Sequence, residues 1–142
     1  MVAMFCVRTL IERHKISDDL ITKSLLVDAY PKTAEKPTTK LNSHHLDELF
    51  DMERPMQRSV TLGFLCNQII HSYIILPVAT GRRFTHLLVC SDYERNRFLY
   101  LITVDLVLSL IRKVSGSYPN AAEFVFDPKR MDYIVRSYYT NP

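Results

Sequence analysis

A chain of 142 residues with 47% hydrophobic and 23% charged side chains can bury a core of its own, which excludes global disorder. Its net charge of +3 permits an acidic or nucleic-acid partner without demanding one, and dedicated nucleic-acid binders carry a larger excess. Three glycines argue against a sandwich of many tight turns and against glycine-rich loops that cradle nucleotides, so no cofactor is expected.

Residues 2–14 read as a short amphipathic helix with Phe5, Leu10 and Ile11 apolar. Met1 to Arg8 lacks the basic segment and long apolar run of a signal peptide. Ser17-Asp18-Asp19 looks like a helix cap followed by acidic first-turn residues. Residues 24–30 read as a strand through Leu25-Leu26-Val27, although a helix ended by Pro31 also fits. Residues 31–40 hold Pro31, Pro37, three threonines and three lysines, and form the clearest loop. Asn42-Ser43 caps a helix from His44 to about Met52, with Leu46, Leu49 and Phe50 as its buried stripe.

Residues 56–73 read as the strongest helix of the chain. Beyond it, residues 74–78, 84–91 and 97–102 read as strands, joined by turns at Gly81-Arg82-Arg83 and Asp92 to Asn96. Thr103 or Asp105 starts a helix that Gly116 stops. Residues 123–126 form a short strand, and Pro128 opens a final helix over 128–139. The expected fold is α+β: a mainly helical single domain with a three-stranded antiparallel meander between core helices. The greasiest run, Phe98 to Ile111, is interrupted by Thr103, Asp105 and Ser109 and is too short to span a membrane. Cys6, Cys66 and Cys90 are widely spaced in apolar surroundings without a Cys-x-x-Cys pair. They read as buried, reduced thiols of a cytoplasmic protein.

The sharpest chemical lead is Cys66-Asn67-Gln68-Ile69-Ile70-His71-Ser72. At about 100° per residue, a helix over 56–73 places Leu62, Leu65, Cys66, Ile69, Ile70 and Tyr73 on one side. Val60, Phe64, Asn67 and His71 fall on the other. Apolar Val60 and Phe64 on that second side predict a further contact, and a homodimer burying both is the expectation. Asn67 and His71 are four residues apart and share a face. The imidazole can serve as general acid or base and the amide can orient a phosphate; a packed histidine held by Asn67 or a backbone carbonyl fits the same spacing.

An apolar helix carrying Asn67-x-Ile69-Ile70-His71-Ser72 resembles the signature helix of the HEPN superfamily. These are small helical proteins of bacterial defence and toxin–antitoxin systems, whose active members are metal-independent RNases with a site built across a dimer. The resemblance matches Asn67 to the motif's polar position and His71 to its histidine, over about residues 43–75 and, by position only, the helix 103–115. It implies a dimer of paired helices and an RNA-related role. Cys66 stands where the motif has arginine, and without a guanidinium the site lacks a bidentate phosphate clamp. Lost catalysis is therefore expected.

Arg82, Arg83, Arg95 and Arg97, with Phe84 and Tyr93 among them, form the candidate nucleic-acid contact, although Asp92 and Glu94 interrupt the cluster. An ordinary solvated surface gives the same pattern. His44 and Glu48 share a helix face but have no third ligand, so no metal is expected. Ser91-Asp92 and His86 lack a nucleophile elbow. The expected function, which the resemblance implies, is a HEPN-like, non-catalytic protein of a bacterial or phage defence or toxin–antitoxin setting, acting through dimerisation and RNA contact. A protein-interaction module without nucleic acid is the alternative. A metal-independent RNase comes third, with His71 and Asn67 catalytic and the arginine supplied by Arg58 or by Arg82 of the partner subunit.

Overall fold

Strands organise this molecule. The computed structural model describes residues 1–140. In chain order it contains α1 (Val2–Glu12), α2 (Asp18–Thr22), β1 (Leu25–Pro31), α3 (Leu46–Leu49), β2 (Met56–Val60) and α4 (Leu62–Ile70). There follow β3 (Ser72–Thr80), β4 (Arg83–Ser91), β5 (Phe98–Thr103), α5 (Val104–Ser115), β6 (Ala121–Asp127) and β7 (Asp132–Tyr138). Five strands make one antiparallel sheet in the order β2-β1-β5-β4-β3, and β6 and β7 make a separate hairpin.

The fold is α+β as expected, but the mainly helical expectation is overturned: 37% of the chain is strand and 29% helix. The β3–β4–β5 meander does lie between α4 and α5, yet it is part of a five-stranded sheet completed by β1 and β2. Three segments account for the difference. Residues 56–73 are not one helix. Met56–Val60 pairs with β1, Thr61 breaks the run, and its Oγ1 accepts the Phe64 N–H at 3.2 Å to cap α4. Residues 128–139 are not a helix either. Tyr133-Ile134-Val135 are strong strand formers, and pairing with β6 overrides the helix-start signal of Pro128. The helix expected over 44–52 shrinks to α3, because Phe50 leaves it to bridge Lys32 and fill the core.

The sheet has a core on each face, and side-chain alternation sorts residues between them. On β5, Tyr100 and Ile102 face α1, α4 and α5, while Leu99 and Leu101 face the segment that carries Leu46, Leu49 and Phe50. On β4, Val89 joins the first core and Leu88 and Cys90 the second. Val60, set in a strand rather than a helix, turns inward to the first core and is only 7% exposed. The dimer surface expected at Val60 thus lies inside the monomer. The reason is period: a two-residue alternation, not a 100° step, decides where Val60 points.

The loop over 31–40 is pinned. Thr38 is buried, its N–H donates to Asn96 Oδ1 at 2.8 Å, and its hydroxyl donates to the Arg95 carbonyl at 2.8 Å. It therefore fastens the β4–β5 turn from one side. No helix among the described residues is long and apolar enough to cross a membrane.

Candidate functional site

The C-terminal half of α4 and the β4–β5 turn enclose a cleft of about 550 Å³. The helix supplies Phe64, Asn67, Gln68 and His71; the turn supplies Ser91, Asp92 and Tyr93. Asn67 and His71, singled out from their spacing, thus open on a shared hollow. His71 caps the C-terminal end of α4: its N–H donates to the Asn67 carbonyl at 3.0 Å and its own carbonyl accepts the Asp92 N–H at 3.2 Å. Its ring is exposed and makes no hydrogen bond among the described residues, so it is not a packed core histidine.

What builds the cleft is a polar framework that the sequence hid. Gln68 is 2% exposed, and its Oε1 accepts the Ser91 N–H at 2.8 Å, tying the turn to the helix. Glu94, at the turn's far side, is also buried. Its Oε2 accepts the Tyr100 hydroxyl at 2.8 Å, its Oε1 lies 3.4 Å from Arg97 Nη1, and its N–H donates to Ser91 Oγ at 3.3 Å. Burial first, and then the Glu94 carboxylate, push the Tyr100 phenol well above the usual tyrosine range. Phe64 packs edge-on against Tyr100 at 5.2 Å, which makes it the cleft's wall as well as part of the core. With Thr38 on one side and Gln68 on the other, the turn is held in one place.

The arginines separate into two groups. Arg95 stacks on Tyr73 at 4.4 Å and pairs with Asp92 at 3.4 Å. Arg97 sits 5.7 Å from the centroid of Tyr93, a ring 79% exposed. Both therefore adjoin the cleft. Arg82 and Arg83 occupy the β3–β4 hairpin, roughly 27 Å from Ser91 along β4, and cannot belong to the same contact. Arg58 lies over Phe98 at 4.1 Å and reaches the Tyr100 hydroxyl at 3.4 Å, so it serves the core network rather than the cleft. Glu48 is engaged by Lys36 at 2.8 Å and by His45 at 3.5 Å, and no group of three or more ligating side chains that could hold a metal occurs among the described residues.

The chain matches no known family model, and neither a curated protein nor a solved structure is significantly similar to it. The site must be read from its own geometry.

All three cysteines are free, but Cys6 is exposed, contrary to the expectation of three buried thiols. It lies on the solvent side of α1, which the amphipathic pattern left open. Burial pushes the Cys66 thiol up to about 11 and the Cys90 thiol up to about 12. Alkylation of the folded protein near neutral pH should therefore label Cys6 alone, with Cys66 and Cys90 reacting only after denaturation. Mass spectrometry of the iodoacetamide-treated protein checks this. Rapid labelling of a second thiol would mean that the core opens.

Proposed function

We propose that this protein is a non-catalytic binding module that associates with a second copy of itself through the β6–β7 hairpin. The observation that carries the reading is the hairpin's apolar surface. Phe124 faces Val135 and Phe126 faces Tyr133 across one side, while Val125 faces Ile134 on the other. Phe124, Val125, Phe126, Tyr133 and Ile134 are all exposed. A two-stranded hairpin by itself is marginal in water. Among the described residues its hydrogen bonds to the body lie at the base: the Ser137 N–H donates to Asp18 Oδ2 at 3.2 Å and its hydroxyl to the His14 carbonyl at 3.3 Å.

Four aromatic side chains, Phe124, Phe126, Tyr133 and Tyr138, leave open roughly 400 Å². That is about half of what one partner gives to a standard interface. Among the described residues no further strand pairs with either outer edge of the hairpin, so backbone groups beyond the Ser137 anchor can meet another strand. Glu123 and Arg136 sit opposite each other, so a two-fold meeting of two hairpins brings balanced charge. The homodimer expected at Val60 and Phe64 finds a more suitable surface here.

The absence of catalysis is supported by Cys66, which is fully buried with a thiol held protonated and cannot replace a phosphate-clamping guanidinium. The HEPN-like reading retains Asn67 and His71 on α4 but not the mainly helical frame that the resemblance implied. Free thiols favour a reducing, cytoplasmic setting. Light scattering at high micromolar concentration should give the mass of a dimer. Phe126→Ser with Tyr133→Ser should weaken association by at least about thirtyfold with the sheet intact. A monomeric native protein at that concentration sinks the reading.

A second reading, RNA contact, is favoured by the cleft, which Tyr93, Asn67 and His71 line and beside which Arg97 lies against Tyr93. It predicts binding that weakens steeply with salt.

A further inference from the structure

We infer that the cleft between α4 and the β4–β5 turn is a pocket for one nucleobase, presented by a free nucleoside or by an unpaired stretch of single strand. The inference rests on the RNA-contact reading and names what the cleft itself would recognise. Its strongest support is Gln68. The side chain is almost wholly buried and its oxygen is committed to the Ser91 N–H, yet no protein acceptor receives its Nε2–H2 among the described residues. That nitrogen is not sealed off from solvent either, so it opens into the cleft that Gln68 lines. A buried amide with one half fixed and the other half offered is a donor held ready for an acceptor such as a base carbonyl.

The rest of the lining suits a flat, neutral ring. Tyr93 offers an exposed aromatic face at the rim and Phe64 an apolar wall. Bases of any sequence stack on such rings. Asn67 adds a second amide, without a side-chain hydrogen bond among the described residues, that can donate and accept along a base edge. Asp92 at the rim makes the hollow unsuitable for a phosphate, whereas Arg97, beside Tyr93 and outside the cleft, stands where a strand's backbone would run. The volume, about 550 Å³, takes a base with its sugar. The turn needs no rearrangement on binding, since Thr38, Gln68 and Glu94 already fix it.

The test compares a fluorescein-labelled oligouridylate with an abasic ribose–phosphate strand of equal length, by anisotropy at about 50 mM salt. The two strands carry the same charge and differ only in bases. A base pocket predicts that oligouridylate binds at least about tenfold tighter. Tyr93→Ala should remove that advantage, Tyr93→Phe should keep it, and neither should alter binding of the abasic strand. Tyr93 is exposed enough for both variants to fold. Competition by free uridine would identify the nucleoside as a sufficient source; its failure beside tight oligouridylate binding would identify the strand. Equal binding of the two strands overturns the pocket while leaving RNA contact standing. No binding of either overturns both.

Discussion

Glu94→Ala should lower the stability of the folded protein by about 3 kcal/mol. The glutamate lies in a turn, where an acidic residue is ordinarily solvated and replaceable, but here it is 4% exposed. Its removal strands the Tyr100 hydroxyl, which is fully buried and has Glu94 as its close acceptor at 2.8 Å. A buried donor left without a partner costs about 1–3 kcal/mol. Lost packing around the side chain adds to that. Arg97 contributes little, since its side chain is mostly exposed and its ion pair is 3.4 Å long. Glu94→Gln keeps an acceptor for the phenol and should cost less than about 1 kcal/mol. Urea unfolding of the two variants measures the difference. Equal losses would mean that the charge of Glu94, not its hydrogen bond to Tyr100, holds the turn. Combining Glu94→Ala with Tyr100→Phe should cost less than the two single changes together, because they remove the same bond.

Val60→Asp should leave the protein largely unfolded at room temperature, a loss of about 4 kcal/mol or more. Val60 pairs with Leu25 in the sheet and packs within the first core. A carboxylate there loses its hydration in an apolar core and must either stay protonated or drag water inward. If Val60 instead lay on a dimer surface, the variant would stay folded and become monomeric. Circular dichroism combined with solution mass separates these outcomes, and a folded monomer would contradict the burial described here.

Residues such as Val60 mark where sequence patterning is and is not sufficient. The meander was legible because Leu87 to Cys90 and Leu99 to Ile102 are apolar runs bounded by polar turns. The helix α5 was legible because Thr103 caps it, accepting the Leu106 N–H at 3.1 Å, and Gly116 ends it. The region 56–73 was not, since Thr61 alone separates the strand from the helix and no turn-length segment marks the boundary. In the hairpin, the partner of Tyr133-Ile134-Val135 decides its form, and pairing is a non-local property. The cleft was half legible. Spacing puts Asn67 and His71 together, but nothing in the sequence distinguishes Gln68 from a solvated helix residue except its place beside the core stripe, between Asn67 and Ile69. Glu94 and Thr38 carried no such signal, because nothing in a turn or a loop announces burial.

The position of β1 has a consequence for how the chain acquires this structure. Its two neighbours in the sheet are β2 and β5, and Asp28 pairs with Leu101. Everything from the loop at residue 31 to the β4–β5 turn must therefore be threaded between two strands that end up side by side. The β3–β4–β5 meander closes through short connections and can assemble early, whereas the edge of β1 from Asp28 to Pro31 waits unpaired until β5 arrives. On a ribosome this interval is set by the time needed to synthesise the meander, and during it β1 is open to mispairing or to capture by a chaperone. Slowing elongation over residues 32–97 would lengthen that exposure, so the yield of soluble protein should be more sensitive to codon usage there than after residue 103.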